Sequence, residues 1–181
     1  MRAFGINESI FEPKNSKKTY DAYFTGTFAK WKRPELFADA VGEKGIWTGI
    51  KQSHEPECFV YPERMGVHTR EEVDRTELTD IINSSYTALN TASFWGGGQR
   101  MTLEAMACNV PPIVMSDSPK NVEYVEESGY GLVVDPNPES IRDAIDRLKT
   151  AKEHTGRKYI ESKWTIKHYA DALVKGITDI L

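Results

Sequence analysis

Cysteine is almost absent from this chain. Cys58 and Cys108 are the two present among 181 residues, too few and too far apart for a disulfide framework or a zinc ribbon, which fits a reducing compartment. Long apolar runs are missing as well. None approaches the ~20 residues that span a bilayer, and Met1-Arg-Ala-Phe-Gly-Ile6 lacks the apolar core of a signal peptide. There is no basic excess: the net charge is −4, which leaves no electrostatic footprint for nucleic acid. Metal and hydrolase signatures fail in turn. His54, His68, His154 and His168 fall in no HExxH or Cys/His ligand spacing, and no Asp-x-Asp pair occurs. There is also no Gly-x-Ser-x-Gly elbow and no Gly-Lys-Ser/Thr phosphate loop. The expectation is a cytoplasmic globular protein with no metal site, no transmembrane segment and no nucleic-acid partner.

What is present is an alternation of short apolar runs with helical patterns, the mark of βα units and a parallel sheet. Strands are expected at Tyr20–Gly26, Gly45–Ile50, Glu57–Tyr61, Tyr86–Thr91, Pro112–Met115 and Gly131–Val134. Helices are expected at Pro34–Val41, Glu71–Ser84, Thr102–Cys108, Lys120–Ser128 and Pro138–Lys152, with Ile141, Ala144, Ile145 and Leu148 sharing one apolar face of the last. A long amphipathic helix is expected over Trp164–Leu181. Residues 1–19 differ in character, with turn chemistry followed by the polar run Lys14–Thr19. They read either as an interdomain linker or as an ordinary N-terminal arm, leaving 20–181 as one α/β domain.

The segment Gly96-Gly97-Gly98-Gln99-Arg100-Met101-Thr102-Leu103-Glu104 is the most informative in the chain. It ends a strand and opens a helix, so its backbone N–H groups can approach an anion at the helix N-terminus. A flexible turn needing positive φ is the competing account. Arg100 and Thr102 add a forked cation and a hydroxyl suited to a diphosphate. Glu104 is either a first-turn acid favoured by the helix dipole or an acceptor for ribose hydroxyls, and position alone does not separate the two. Lys30-Trp31-Lys32-Arg33 follows the first strand and its Gly26-Thr27, at the same sheet end. Lys32 can neutralise a leaving diphosphate there, against the reading of a solvated basic loop. Trp31 can pack on the sheet edge instead of touching ligand. His68 falls in the Met65–Thr69 turn, exposed or bordering a base pocket. Ser116–Lys120 reads as a helix-capping turn.

Several of these segments, in order, resemble the second domain of GT-B glycosyltransferases of the large retaining family 4, also called group 1. Phe24-Thr-Gly-Thr-Phe-Ala-Lys-Trp-Lys-Arg-Pro-Glu-Leu36 resembles its first strand and loop. Leu103-Glu-Ala-Met-Ala-Cys108, the Pro112–Met115 strand and Asn121–Val125 resemble its donor site. Gly129–Val134 and the Trp164 helix continue the match, and Gly5–Pro13 resembles the segment between the two domains.

The resemblance implies a Rossmann-like donor domain, one half of a GT-B architecture. Its substrate would be a nucleotide-diphosphate sugar bound without metal or further cofactor. Lys32 would then lie on the diphosphate, Glu104 on the ribose, and the amides at Gly97 and Gly98 near the sugar phosphate. Gly26, Thr27, Gly96, Gln99, Arg100, Met101 and Thr102 complete the expected contacts. Two positions depart from the family pattern. Gly96 stands where an acidic residue contacts donor-sugar hydroxyls, and Thr27 stands where an arginine follows the first-strand glycine. Arg100 is the candidate to supply the lost charge. The acceptor, a glycan, lipid or protein, would be met by an N-terminal domain absent from this length, so the chain alone is expected to bind donor and to transfer poorly. The full-length protein is expected in the cytoplasm, with a peripheral membrane location as an option. A non-catalytic nucleotide-sugar or glycan-binding module is the alternative, and a nucleotide-sugar epimerase a third reading with no added acid or histidine base in its favour.

Overall fold

A computed structural model describes residues 4–93, 99–150 and 156–178. Six parallel strands form one sheet: β1 (Tyr20–Thr25), β2 (Gly45–Thr48), β3 (His68–Arg70), β4 (Ser85–Asn90), β5 (Pro112–Met115) and β6 (Leu132–Val134). Their order is β3-β2-β1-β4-β5-β6. Helices α1 (Pro34–Val41), α2 (Glu57–Arg64), α3 (Arg75–Asn83), α4 (Arg100–Ala107), α5 (Pro119–Ser128) and α6 (Pro138–Lys149) accompany them. Two more, α7 (Gly156–Lys163) and α8 (Ile166–Thr178), follow. This is the expected Rossmann-like α/β fold. The strand order reverses between β1 and β4, and such a reversal opens a ligand crevice at the carboxyl ends of the two strands.

The central strands carry contiguous apolar residues because both faces are covered. Ala22, Tyr23 and Phe24 of β1 and Ile113, Val114 and Met115 of β5 are wholly buried. Local chemistry starts the helices. Pro34 and Pro138 occupy the first turns of α1 and α6, where the missing N–H costs nothing. The side chains of Asp74 and Asn137 accept from the third backbone amide beyond them, at 2.8 and 2.9 Å, and cap α3 and α6.

Three expectations need correction. The run Glu57–Tyr61 is helix, not strand: it belongs to α2, whose buried residues Cys58 and Pro62 are four apart, a helical spacing. A short apolar run carries no periodicity that separates the two states. The third strand is instead His68–Arg70, which pairs in parallel with β2 from within the stretch that reads as a turn. The Glu71–Ser84 helix begins only at Arg75, after the Asp74 cap, which frees Glu72 and Val73 as loop.

The expected C-terminal helix is α8, which starts at Ile166, and α7 ends just before it at Lys163. Thr165 between them forms a parallel bridge with Ile6, with Ile6 N donating to Trp164 O at 2.7 Å and Ile166 N donating to Ile6 O at 3.1 Å. Those bonds remove the backbone from helical pairing. The crossing is tight, since a β-carbon on Gly5 would lie 2.7 Å from the Ile166 Cα. The N-terminal segment is therefore packed on the domain, with Ile6 and Phe11 in the core. Arg157 fastens it by donating to the carbonyls of Glu8, Phe11 and Ala107. Among the described residues no helix is long and apolar enough to cross a membrane.

Candidate functional site

The crevice is built from the carboxyl end of β1 outward. Gly26 ends that strand with φ +143°, and a β-carbon there would lie 2.1 Å from the Lys32 Nζ. Gly49, at the end of β2, comes so close that its own β-carbon would lie 2.1 Å from Gly26 O. Trp47 Nε1 donates to that same carbonyl at 2.8 Å. The Trp47 ring stacks on Phe24 at 3.9 Å and on Phe28 at 5.0 Å. The Gly26 turn is thus held by an aromatic stack beneath it and by its own amide, which donates to Thr48 O at 2.8 Å.

Lys32 sits in a tight turn, Lys30–Lys32, beyond β1. It is 6 % exposed, with Nζ over the rings of Trp31 (4.8 Å) and Phe24 (5.2 Å). Its ammonium has no carboxylate partner among the described residues, and burial pushes its pKa down to about 8. A cation in this state is poised for an incoming anion.

Two adjoining cavities of about 400 Å³ each share Thr25 and Leu78 as a common wall. The first brings together Lys32, Arg75, Gln99, Arg100, Met101 and Glu104, with Phe11 in its lining. The second runs past Gly26, Thr27, Thr48 and Gly49 to Glu72 and Val73. Glu104 is the buried carboxylate of the first, 6 % exposed, and burial raises its pKa while Arg100 and then Arg75 oppose the rise. Arg100 reaches it at 3.4 Å. Three cations and one acid therefore line the same cavity.

Of the residues expected from the sequence, Lys32, Gln99, Arg100, Met101 and Glu104 meet in the first cavity, and Gly26 and Thr27 line the second. Gly96, Gly97 and Gly98 lie outside the described residues. Thr102 is fully buried away from both cavities. Its hydroxyl accepts from Asn90 Nδ2 at 2.9 Å and donates to Asn121 Oδ1 at 3.3 Å. Gln99 N also donates to Asn121 Oδ1, at 3.0 Å, so this network anchors the start of α4. His68 lies in β3 with its ring against Tyr20, at 5.6 Å. Ser118 precedes α5, where its hydroxyl accepts from Asn121 Nδ2.

Sequence reasoning misses Arg75, Leu78, Thr25 and Phe11. Arg75 follows a recognisable helix cap, but nothing local directs it toward Arg100 and Glu104. Phe11 is concealed in a segment of linker-like composition. Among the described residues no three His, Cys, Asp or Glu side chains converge as metal ligands.

A parallel sheet whose strand order reverses at a crevice lined by Lys32, Arg75 and Arg100 defines a doubly wound α/β domain. Residues 67–163 match the family described as glycosyl transferases group 1, and the chain belongs to that family. Solved structures of low identity share its fold. Sucrose-phosphate synthase from Thermosynechococcus elongatus aligns with TM-score 0.77 and 18% identity, over 98% of this chain and 51% of that one. Anabaena HepE in complex with UDP aligns with TM-score 0.81 and 11% identity, over 97% and 56%. The C-terminal domain of a glycosyl transferase group 1 family protein from Francisella tularensis aligns with TM-score 0.67 and 16% identity, over 90% and 100%. The chain spans about half the length of the first two, and it fits the C-terminal domain of a GT-B enzyme. No curated protein matches the sequence.

Proposed function

We propose that this chain is the donor-binding half of a retaining glycosyltransferase, of the hexosyl-transferring type, that holds a nucleotide-diphosphate sugar. The observation that carries the reading is that Lys32, Arg75, Arg100 and Glu104 line one cavity at the carboxyl end of β1. A diphosphate brings the negative charge that these cations attract, and Lys32 is the cation buried without an acidic partner among the described residues. When the sugar departs, charge grows on the diphosphate, and a preset ammonium stabilises that developing charge most. In this reading Glu104 accepts from ribose hydroxyls, and Gly26 and Thr27 face the phosphates. Gly96, Gly97, Gly98 and Gln99 complete the contacts. Side-chain cations supply the neutralisation, so the reaction needs no metal.

The acceptor, a glycan, lipid or protein, is met by a second domain outside these residues. The coverage of about half of two solved glycosyltransferase-fold chains supports this. The cytoplasm is the proposed location, with a membrane surface open to the full-length protein.

Thr27, where the resemblance expects arginine, favours one rival: a module that binds a nucleotide sugar or glycan without catalysis. Calorimetry with UDP, GDP and ADP sugars, followed by a hydrolysis assay, tests both. Binding of one nucleotide class with slow hydrolysis is the expected result. Binding without hydrolysis supports the module, and no binding of any of the three overturns the proposal.

A further inference from the structure

Arg33 stands next to Lys32 in an unfavourable backbone conformation. Among the described residues only Arg33 and Asn109 combine a side chain with positive φ, at 52° and 54°. Such positions favour glycine, and a bulky residue persists there only where its surroundings over-determine it. The surroundings of Arg33 do so. Its Nε donates to Thr91 O at 2.6 Å, and its two terminal nitrogens grip the Asp117 carboxylate at 2.7 and 2.8 Å. This is the paired-fork geometry that only a guanidinium supplies.

The contacts join three loops at the carboxyl end of the sheet. Arg33 belongs to the loop after β1, Thr91 to the loop after β4, and Asp117 to the loop after β5. Other bonds tighten the same bracket. Thr91 Oγ1 donates to Lys32 O at 2.6 Å, and Ser93 donates to Trp31 O through both its amide (2.9 Å) and its hydroxyl (3.0 Å). Lys32 thus lies between two clamped residues, and its ammonium emerges over Gly26 from an immobilised backbone.

We infer that Arg33 is a positioning residue, whose grip on Asp117 and the Thr91 carbonyl aims the Lys32 ammonium into the crevice. Charge is not its contribution, since its guanidinium binds Thr91 O and Asp117 and lines neither cavity. The inference rests on the donor-binding reading for its consequence but not for its geometry. Arg33→Gly removes the clamp while accommodating the positive φ, and Asp117→Ala removes it from the other side. Arg33→Lys keeps the charge and loses the fork.

Two readouts apply to each variant: affinity for UDP, GDP and ADP by calorimetry, and a pH titration of the Lys32 ε-methylene carbon resonance by NMR. The expected result for Arg33→Gly and Asp117→Ala is a Lys32 midpoint that moves up toward the ordinary lysine range. Nucleoside diphosphate affinity should fall roughly 10- to 100-fold, with Arg33→Lys failing to rescue it. An unchanged Lys32 midpoint with unchanged affinity in Arg33→Gly would overturn the inference, whatever the change in melting temperature. If the unaltered protein binds none of the three nucleotides, the donor reading fails. The Lys32 midpoint still decides the positioning role in that case.

Discussion

A lysine ammonium buried without an acidic partner among the described residues is a standing cost to the fold. With its pKa lowered to about 8, Lys32 binds fewer protons folded than unfolded between that value and 10.5. Stability therefore rises as pH increases through this window, and below it the penalty is fully present. At one unit per 1.36 kcal/mol, the penalty near neutrality is on the order of 3 kcal/mol. Lys32→Met should accordingly raise the melting temperature by several degrees and flatten its rise between pH 8 and 10, as measured by calorimetric scans. The same replacement should abolish measurable nucleoside diphosphate binding. In the unaltered protein that binding should weaken as pH rises through about 8, by up to tenfold per pH unit, because the neutral amine attracts no diphosphate. Arg75, Arg100 and Glu104 line the same cavity, and a smooth loss traceable to Lys32 is the signature sought. Glu104 makes a separate prediction. The unaltered chain should prefer a nucleoside diphosphate to its 2′-deoxy counterpart by roughly 10- to 100-fold in Kd, as expected for a hydrogen bond to a carboxylate. Glu104→Gln should erase most of that preference.

Among the elements, the start of α4 is held by polar groups that water does not reach. Thr102→Val leaves Asn90 and Asn121 without their hydroxyl partner and should cost about 1–3 kcal/mol in denaturant unfolding. The sequence makes this helix and its preceding loop visible, but not the direction in which Thr102 faces, because that depends on α5 lying alongside. The same distinction runs through the fold. Strands buried on both faces, such as Pro112–Met115, and helices marked by proline and one apolar stripe, such as Pro34–Val41, are legible from local chemistry. Glu57–Tyr61 is not, since its aromatic and branched residues suit a strand while the packing of Cys58 and Pro62 selects a helix. His68–Arg70 is equally opaque: an edge strand of three largely exposed residues owes its extended form to β2 rather than to its own composition. In the crevice, glycines, lysine and glutamate stand out by type and spacing. Arg75 does not, because an exposed first-turn arginine looks the same wherever the fold points it.

For the molecule as a whole, the six-stranded order and the crevice at its reversal belong to the glycosyl transferase group 1 family, and the finer chemistry rests on side chains gathered from distant parts of the chain. The N-terminal segment is one of those parts. Phe11 is 1 % exposed and lines the cavity beside Lys32 and Glu104, while Arg157 of α7 holds its carbonyl at 3.0 Å. Deleting residues 1–13 therefore takes away masonry rather than fringe. Water would flood the chamber, the local dielectric would climb, and the lysine would relax toward its ordinary basicity. A truncated protein should still show the helical and strand signature of the parent by circular dichroism, yet hold nucleoside diphosphates at least tenfold more weakly. A domain cut back to its first strand would lose the Phe11 face of this cavity.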